Sequence, residues 1–305
     1  GALTWPRSPA PAPDYQARLI LTAIPRSQDC CTAGPFSLAG AWQLTSSNSA
    51  FGGYSALVPV NSGELLAFSD RGYFLRFAKP ETASAMPEFG SALPASARAK
   101  TSRDVEAATF DPATGRVWLA LERRNAVARF RPGKTGEALR RIPEWRDWSG
   151  NLGPETLVRL HDGRFIALCE CHSSWLGESR YPGFLYANDP VGGGPGTGFT
   201  FAGPDGYRPT DAAELPDGRV LILLRRLVWP APARFAVKVV IADPAEIAPG
   251  KVWRAREIAD IAAPWPVDNY EGVAIEREAG GKLVAWIISD DNGAVSQRTL
   301  MLKVV

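Results

Sequence analysis

The sequence predicts an all-β fold: a single β-propeller of four-stranded blades, five or six in number. Three observations carry this prediction. Apolar runs are short, rich in Val, Leu, Ile and Trp, and bounded by Gly and Pro. Stretches with the periodicity of an amphipathic helix are scarce; residues 243–250 (DPAEIAPG) allow one turn of helix at most. A hairpin-like unit recurs five times, which is the signature of a radial repeat.

The repeat is visible when the chain is aligned on one turn glycine per unit. Gly63 lies in SALVPVNSGELLAFSDR, Gly115 in EAATFDPATGRVWLALER and Gly163 in ETLVRLHDGRFIALCEC. Gly218 lies in TDAAELPDGRVLILLRR and Gly281 in EGVAIEREAGGKLVAWIISDD. Each unit has a small or polar start, a short strand, a polar turn with Gly, a second apolar strand and a polar stop. A unit of about fifty residues that opens with such a hairpin matches one propeller blade.

The elements follow in chain order. Residues 1–14 are rich in Pro and Ala and read as a flexible lead-in, leaving residues 15–305 for one propeller domain. Residues 18–23 (RLILTA) are expected to add an outer strand to the last blade and close the ring, which removes an open sheet edge. Residues 36–45 (FSLAGAWQLT) are further strand material, belonging to the first blade or to a sixth. Outer strands are expected at Ala126–Phe130, 183–186, 236–241 and Thr299–Val304. Residues 192–198 (GGGPGTG) lack the Lys and the strand–loop–helix context of a phosphate loop and read as a flexible loop. Most Trp residues fall in apolar surroundings and read as blade packing.

Composition narrows the function. The chain has 305 residues, 45% of them hydrophobic, and a formal net charge of +2. No basic run carries interleaved aromatics, so nucleic acid is not an expected partner. No apolar segment approaches the roughly 18 residues of a membrane span. The chain begins at Gly1 without a basic or apolar leader, which reads as a mature chain. It is expected to act as a monomer.

Only His161 and His172 are present, so a multi-His metal centre or a Ser-His-Asp triad has little material. His172 remains a minor acid/base candidate. His161 sits in a hairpin turn, at the end opposite the acids described next. The four cysteines, Cys30, Cys31, Cys169 and Cys171, allow three complete pairings. A bridge from the N-terminal pair to the Cys169 region would staple the N-terminal segment down. Free thiols and a soft-metal site that includes His172 are the alternatives.

Two polar positions recur in register. The opening position precedes the first strand: Ser55, Glu106, Glu155, Thr210 (with Asp211 next to it) and Glu271. The closing position follows the second strand: Asp70, Glu122, Glu170, Arg225 and Asp290. In an antiparallel pair these two positions share one end. All of them should therefore converge on one mouth of the central channel, with up to eight carboxylates around it. Like charges raise one another's pKa, so the ring calls for compensation. A hard cation such as Ca²⁺ suits such oxygen ligands. Arg71, Arg123, Arg225 and Arg226, at or just after the closing positions, suit an anionic group. The plainer reading is that these charges satisfy strand ends through surface ion pairs worth little.

The ordered motifs FGGYSAL, AFSDRGYFLRF, DVEAATFD, GPETLVRLHDGRFIALCE, RPTDAAELPDGRVLILLRR and DNYEGVAI…WIISDDN…QRTLMLKV resemble the phytase-like family, described as having esterase-like activity of phytase. The resemblance runs from about residue 40 to residue 304. It implies a bacterial, exported β-propeller, periplasmic or secreted, that hydrolyses phosphate or other esters. It also implies calcium held by channel-mouth carboxylates. The chain departs from an even ring of acids at Thr210 and Arg225, and has Cys171 where other repeats have Arg or Asp.

The function expected on these grounds is calcium-assisted hydrolysis of a small anionic or ester substrate. Asp70, Glu106, Glu155, Asp211, Glu271 and Asp290 are the candidate metal ligands. Glu122, Glu155 and Glu170 are the candidate catalytic carboxylates, and Arg71, Arg123, Arg225 and Arg226 the anion binders. The alternatives are a lactonase or sugar-ester hydrolase with one channel calcium, and a non-catalytic binding propeller. Metal count separates the first two: one ion favours the lactonase, bridged ions the phosphatase.

Overall fold

The computed structural model describes residues 12–25, 32–82, 85–93, 103–131, 137–148, 152–175, 178–228, 234–278, 280–294 and 297–305. Three strands come first: β1 (Ile20–Ala23), β2 (Thr32–Ala33) and β3 (Phe36–Thr45). Five blades are then closed into a ring.

Blade 1 is β4 (Tyr54–Pro59), β5 (Glu64–Ser69), β6 (Tyr73–Ala78) and β7 (Glu88–Ser91). Blade 2 is β8 (Val105–Asp111), β9 (Arg116–Leu121), β10 (Ala126–Phe130) and β11 (Ala138–Arg141). Blade 3 is built on β12 (Pro154–Arg159), β13 (Phe165–Cys169), β15 (Glu178–Tyr186) and β16 (Gly196–Pro204), with the short β14 (Ser173–Trp175) paired to β15. Blade 4 is β17 (Arg208–Glu214), β18 (Val220–Val228), β19 (Arg234–Ala242) and β21 (Arg256–Ile261). Between the last two, β20 (Val252–Arg254) crosses to pair in parallel with β16 of blade 3. Blade 5 is β22 (Tyr270–Arg277), β23 (Leu283–Ser289), β24 (Thr299–Val304) and then β3 and β1.

Ring closure is thus made by the N-terminal segment on the C-terminal blade. The strand that does it directly is β3, which pairs antiparallel with β24, while β1 adds outside β3. Residues 36–45 therefore complete the fifth blade, and there is no sixth among the described residues. The expected outer strands lie within β10, β15, β19 and β24. Residues 243–250 hold a single 3₁₀ turn at Pro244–Glu246, capped by the Asp243 carboxylate on the Ala245 amide.

One expectation fails. Residues 192–198 are not a loop throughout, because Gly196 and Gly198 already belong to β16 and pair with Tyr186 and Phe184. A Cβ on Gly196 would lie 2.7 Å from the Tyr186 ring, so the missing side chain is what lets that ring lie across the strand.

Five hydrophobic clusters fill the five gaps between neighbouring blades. The closing gap, between blades 5 and 1, packs Trp42 and Trp286 with ring centroids 6.1 Å apart against Leu57, Leu65 and Leu75. Burying each such side chain contributes about 1.5–3 kcal/mol. The innermost strands β4, β8, β12, β17 and β22 neighbour one another in ring order, so whatever their ends carry is presented around one axis.

Candidate acidic site at the channel mouth

All five opening residues occupy the same structural position. The pairing of each innermost strand with its neighbour slips by one residue at Ser55, Glu106, Glu155, Thr210 and Glu271. This is a β-bulge repeated five times. A bulge leaves one residue out of the ladder and re-aims its side chain. The closing residues are equally regular: the amides of Asp70, Glu122, Glu170 and Asp290 donate to the carbonyls of Gly53, Asp104, Gly153 and Asn269. A third position, two residues before each bulge, completes the frame: Gly53, Asp104, Gly153, Arg208 and Asn269.

The hydroxyl bulge residues tie blades together. Ser55 Oγ donates to the Val105 carbonyl at 2.5 Å, and Thr210 Oγ1 approaches the Tyr270 carbonyl at 3.3 Å. These carbonyls are equivalent, each just before the next blade's bulge. An ionised carboxylate could not donate there, which accounts for hydroxyl residues at the bulges of blades 1 and 4.

The three glutamate bulges feel one another. Burial first, then Glu155, Glu122, Glu271 and Asp104, push the Glu106 carboxyl well above the usual range. Burial also raises Glu155 well above it, followed by the charge of Glu170. Asp290 is raised by burial and by Glu271 and Asp70. Burial lifts Asp70 to about 6 against the opposing Arg71, and lifts Glu122 to about 7 with help from Asp104.

Compensation is uneven around the ring. Blade 4 supplies two guanidinium groups to its neighbours. Arg208 Nη1 reaches Glu170 Oε1 of blade 3 at 2.7 Å, and Arg225 Nη1 reaches Glu271 Oε1 of blade 5 at 2.9 Å. Arg225 also donates to Asn269 Oδ1, while Asn269 Nδ2 donates to Glu271 at 2.7 Å. In blade 2, among the described residues, no guanidinium forms an ion pair with Glu106 or Glu122. There Asp104, Glu106 and Glu122 bring three carboxylate oxygens within 4.8 Å of one another. Arg123 pairs with Asp104, and the Gly153 amide donates to Glu122 Oε1 at 3.2 Å. Among the described residues nothing donates to Glu106 or to the buried Glu155.

The remaining candidates are placed as follows. Asp211 is buried between blades 4 and 5, where its carboxylate accepts the amides of Val273 (2.8 Å) and Ala212 (2.9 Å). Arg71 donates to the carbonyls of Ser49, Phe51 and Gly52, clamping the loop before β4. Arg226 is exposed and lies 4.6 Å from the centroid of the Tyr207 ring. His172 bonds Ser179 at 3.2 Å. His161 pairs with Glu214 at 2.7 Å and lines a cavity of about 660 Å³ at the opposite mouth. Cys169 is bonded to Cys171 and not to the N-terminal pair, so the expected staple through Cys169 does not form; Cys30 and Cys31 lie outside the described residues. Asp104 escaped the sequence analysis, because the equivalent position in the other blades carries Gly53, Gly153, Arg208 or Asn269 and no acid recurs there.

A family model described as "Phytase-like: Esterase-like activity of phytase" matches residues 49–293. The chain belongs to this phytase-like family. The span covers all five bulges and all five closing residues. No curated protein matches the sequence. Among solved structures, the chain is similar to the WD40 β-propeller domain of Doa1 (11% identity, TM-score 0.40, 88% of this chain and 97% of that one). It is also similar to the N-terminal domain of Nup159 (12%, 0.37, 96% and 99%) and to U3-55K (8%, 0.37, 82% and 67%).

Proposed function

We propose that this phytase-like propeller is a metal-assisted ester hydrolase, with one hard divalent cation held by Asp104, Glu106 and Glu122. The observation that carries the reading is the convergence of those three carboxylates within 4.8 Å, with no donor to Glu106 among the described residues. An all-oxygen donor set of this charge fits Ca²⁺. Blade 5 supplies an internal comparison: of the equivalent residues Asn269, Glu271 and Asp290, the first two receive the Arg225 guanidinium, so the frame accommodates a positive charge.

When bound, the ion supplies Lewis-acid polarisation of an ester oxygen and offsets the crowded carboxylates. Glu155, buried on the neighbouring blade with no hydrogen-bond donor among the described residues and within the field of Glu106 and Glu122, is placed to exchange a proton with an attacking water or a leaving oxygen. Glu170, fixed by Arg208, and Glu271, fixed by Arg225, hold the far side of the mouth. Among the described residues one trio meets metal-ligand spacing. A single ion favours carboxylic esters or lactones over phosphoryl transfer by two metals about 3.5–4 Å apart. The Cys169–Cys171 disulfide supports export to an oxidising compartment, periplasmic or secreted.

The test is calcium calorimetry on the wild type and Glu106→Gln, with phenyl acetate, a γ-lactone and phenyl phosphate assayed in calcium and in chelator. Calcium binding that the variant loses, together with chelator-sensitive ester hydrolysis, is the expected result. No calcium binding and no effect of chelator would overturn it.

A further inference from the structure

Off the channel axis, between blades 4 and 5, lies an open cleft of about 930 Å³. Its lining includes Arg226, Arg234 and Arg298 together with Tyr207, Phe235 and Ile261. The cleft falls in the size range of small-molecule sites. Two carboxylates also line it, and both are committed. Asp260 pairs with Lys238 at 2.7 Å, and Asp268 is buried and accepts the amides of Asn269 (2.9 Å) and Arg298 (3.3 Å). Among the described residues no carboxylate lies within ion-pair distance of the three guanidinium groups. Arg226 stacks on Tyr207, and the ammonium of Lys238, which is shared between Asp260 and Glu257, lies 5.3 Å from the same ring.

Three arginines that form no ion pair among the described residues, beside aromatic and aliphatic walls, define a ligand chemistry. Guanidinium groups bind phosphate or carboxylate through paired N–H donors, and apolar walls strengthen that attraction by excluding water. Asp260 is held by Lys238, which it shares with Glu257, and the Asp268 carboxylate is turned to the backbone amides of Asn269 and Arg298. We propose that the cleft is a binding site for a small organic anion. Its oxyanion is held by Arg226, Arg234 and Arg298, and its apolar or aromatic body rests on Phe235 and Ile261. The site is separate from the blade 2 carboxylates and does not depend on their holding a metal.

Calorimetric titration with phenyl phosphate, benzoate, inorganic phosphate and benzyl alcohol tests it. The two aromatic anions separate a phosphate head from a carboxylate head, and binding of either is the expected result. Inorganic phosphate should bind at least about tenfold more weakly, and benzyl alcohol not measurably. The double variant Arg234→Gln/Arg298→Gln should weaken binding on the order of tenfold or more. Because both side chains are exposed, its melting temperature should stay at the wild-type value. Arg226→Gln should weaken binding in the same direction, and Glu106→Gln should not change it. Wild-type affinity in the double variant, equal affinity for inorganic phosphate, or no binding of either aromatic anion at millimolar concentration overturns the proposal.

Discussion

Arg225 Nη1 lies 2.9 Å from Glu271 Oε1, and through this contact blade 4 neutralises an acid of blade 5 inside the channel mouth. Burial nevertheless keeps the Glu271 carboxyl above its ordinary range, so desolvation outweighs the attraction of the guanidinium. Removing the cation alone strands a buried charge, whereas removing both charges does not. Arg225→Met should therefore destabilise the propeller by about 3–5 kcal/mol at neutral pH. The pair Arg225→Met/Glu271→Gln should recover most of that loss. Urea unfolding of the two single variants and the double variant measures it; a double variant as weak as Arg225→Met would mean that the guanidinium acts through packing and not through charge.

The crowded carboxylates set the sign of the pH dependence. Asp70 is lifted to about 6 and Glu122 to about 7, and Glu106, Glu155 and Asp290 are pushed well above the usual range, burial being the first cause in every case. Carboxyls of the unfolded chain titrate near pH 4. Between about pH 4 and pH 7 the folded chain therefore holds more protons than the unfolded one. Stability from these groups is full below that window and falls as pH rises through it. In chelator the melting temperature should drop between about pH 5 and pH 7. Calcium competes with those protons and should flatten or reverse the trend. A melting temperature that rises with pH in chelator would contradict the mutual burial of these acids.

Glu106→Gln should act with opposite signs in the two conditions. In chelator it removes a half-buried carboxyl that receives no hydrogen bond from the described residues and lies among other acids, so the melting temperature should rise by about 1–2 degrees, as about 1 kcal/mol does in a chain of this size. In calcium it removes a proposed ligand, so any stabilisation of the wild type by calcium at this site should vanish. Differential scanning calorimetry in both buffers reads both signs. A variant less stable than wild type in chelator would show that Glu106 contributes through its packing.

Much of this site was legible because its repeat has a backbone cause. The hairpin turns need a glycine at positive φ, as at Gly115, Gly163, Gly218 and Gly281, and that fixed the frame from which the bulge and closing residues were counted. Asp104 was not legible as an acid of the site. The other blades carry Gly53, Gly153, Arg208 and Asn269 at its position, so no acidic pattern marks it. Asp211 was drawn in by its neighbour Thr210, but the bulge turns successive side chains apart and hands Asp211 to the Val273 amide. Closure by β3 depends on pairing residues 36–45 with a strand more than 250 residues later, which no local pattern encodes.

Gly153 tests whether the position of Glu122 matters. A Cβ there would meet Glu122 Cγ at 2.3 Å and Glu122 Cα at 2.9 Å, and the second of these is backbone that cannot swing away. Gly153→Ala must therefore push the two strands apart or turn Glu122 off the trio, and lengthen the hydrogen bond from the Gly153 amide to Glu122 Oε1. Overpacking of this kind costs about 1–3 kcal/mol. The expected outcome is a modest loss of stability with a much larger loss of calcium affinity, since ligand geometry tolerates less displacement than packing does. Gly63→Ala is the control: its Cβ would have nothing nearer than Asn61 Oδ1 at 3.6 Å, and it should change neither quantity. Calorimetry on both variants checks this. Equal calcium affinity in Gly153→Ala and wild type would remove Glu122 from the ligand set.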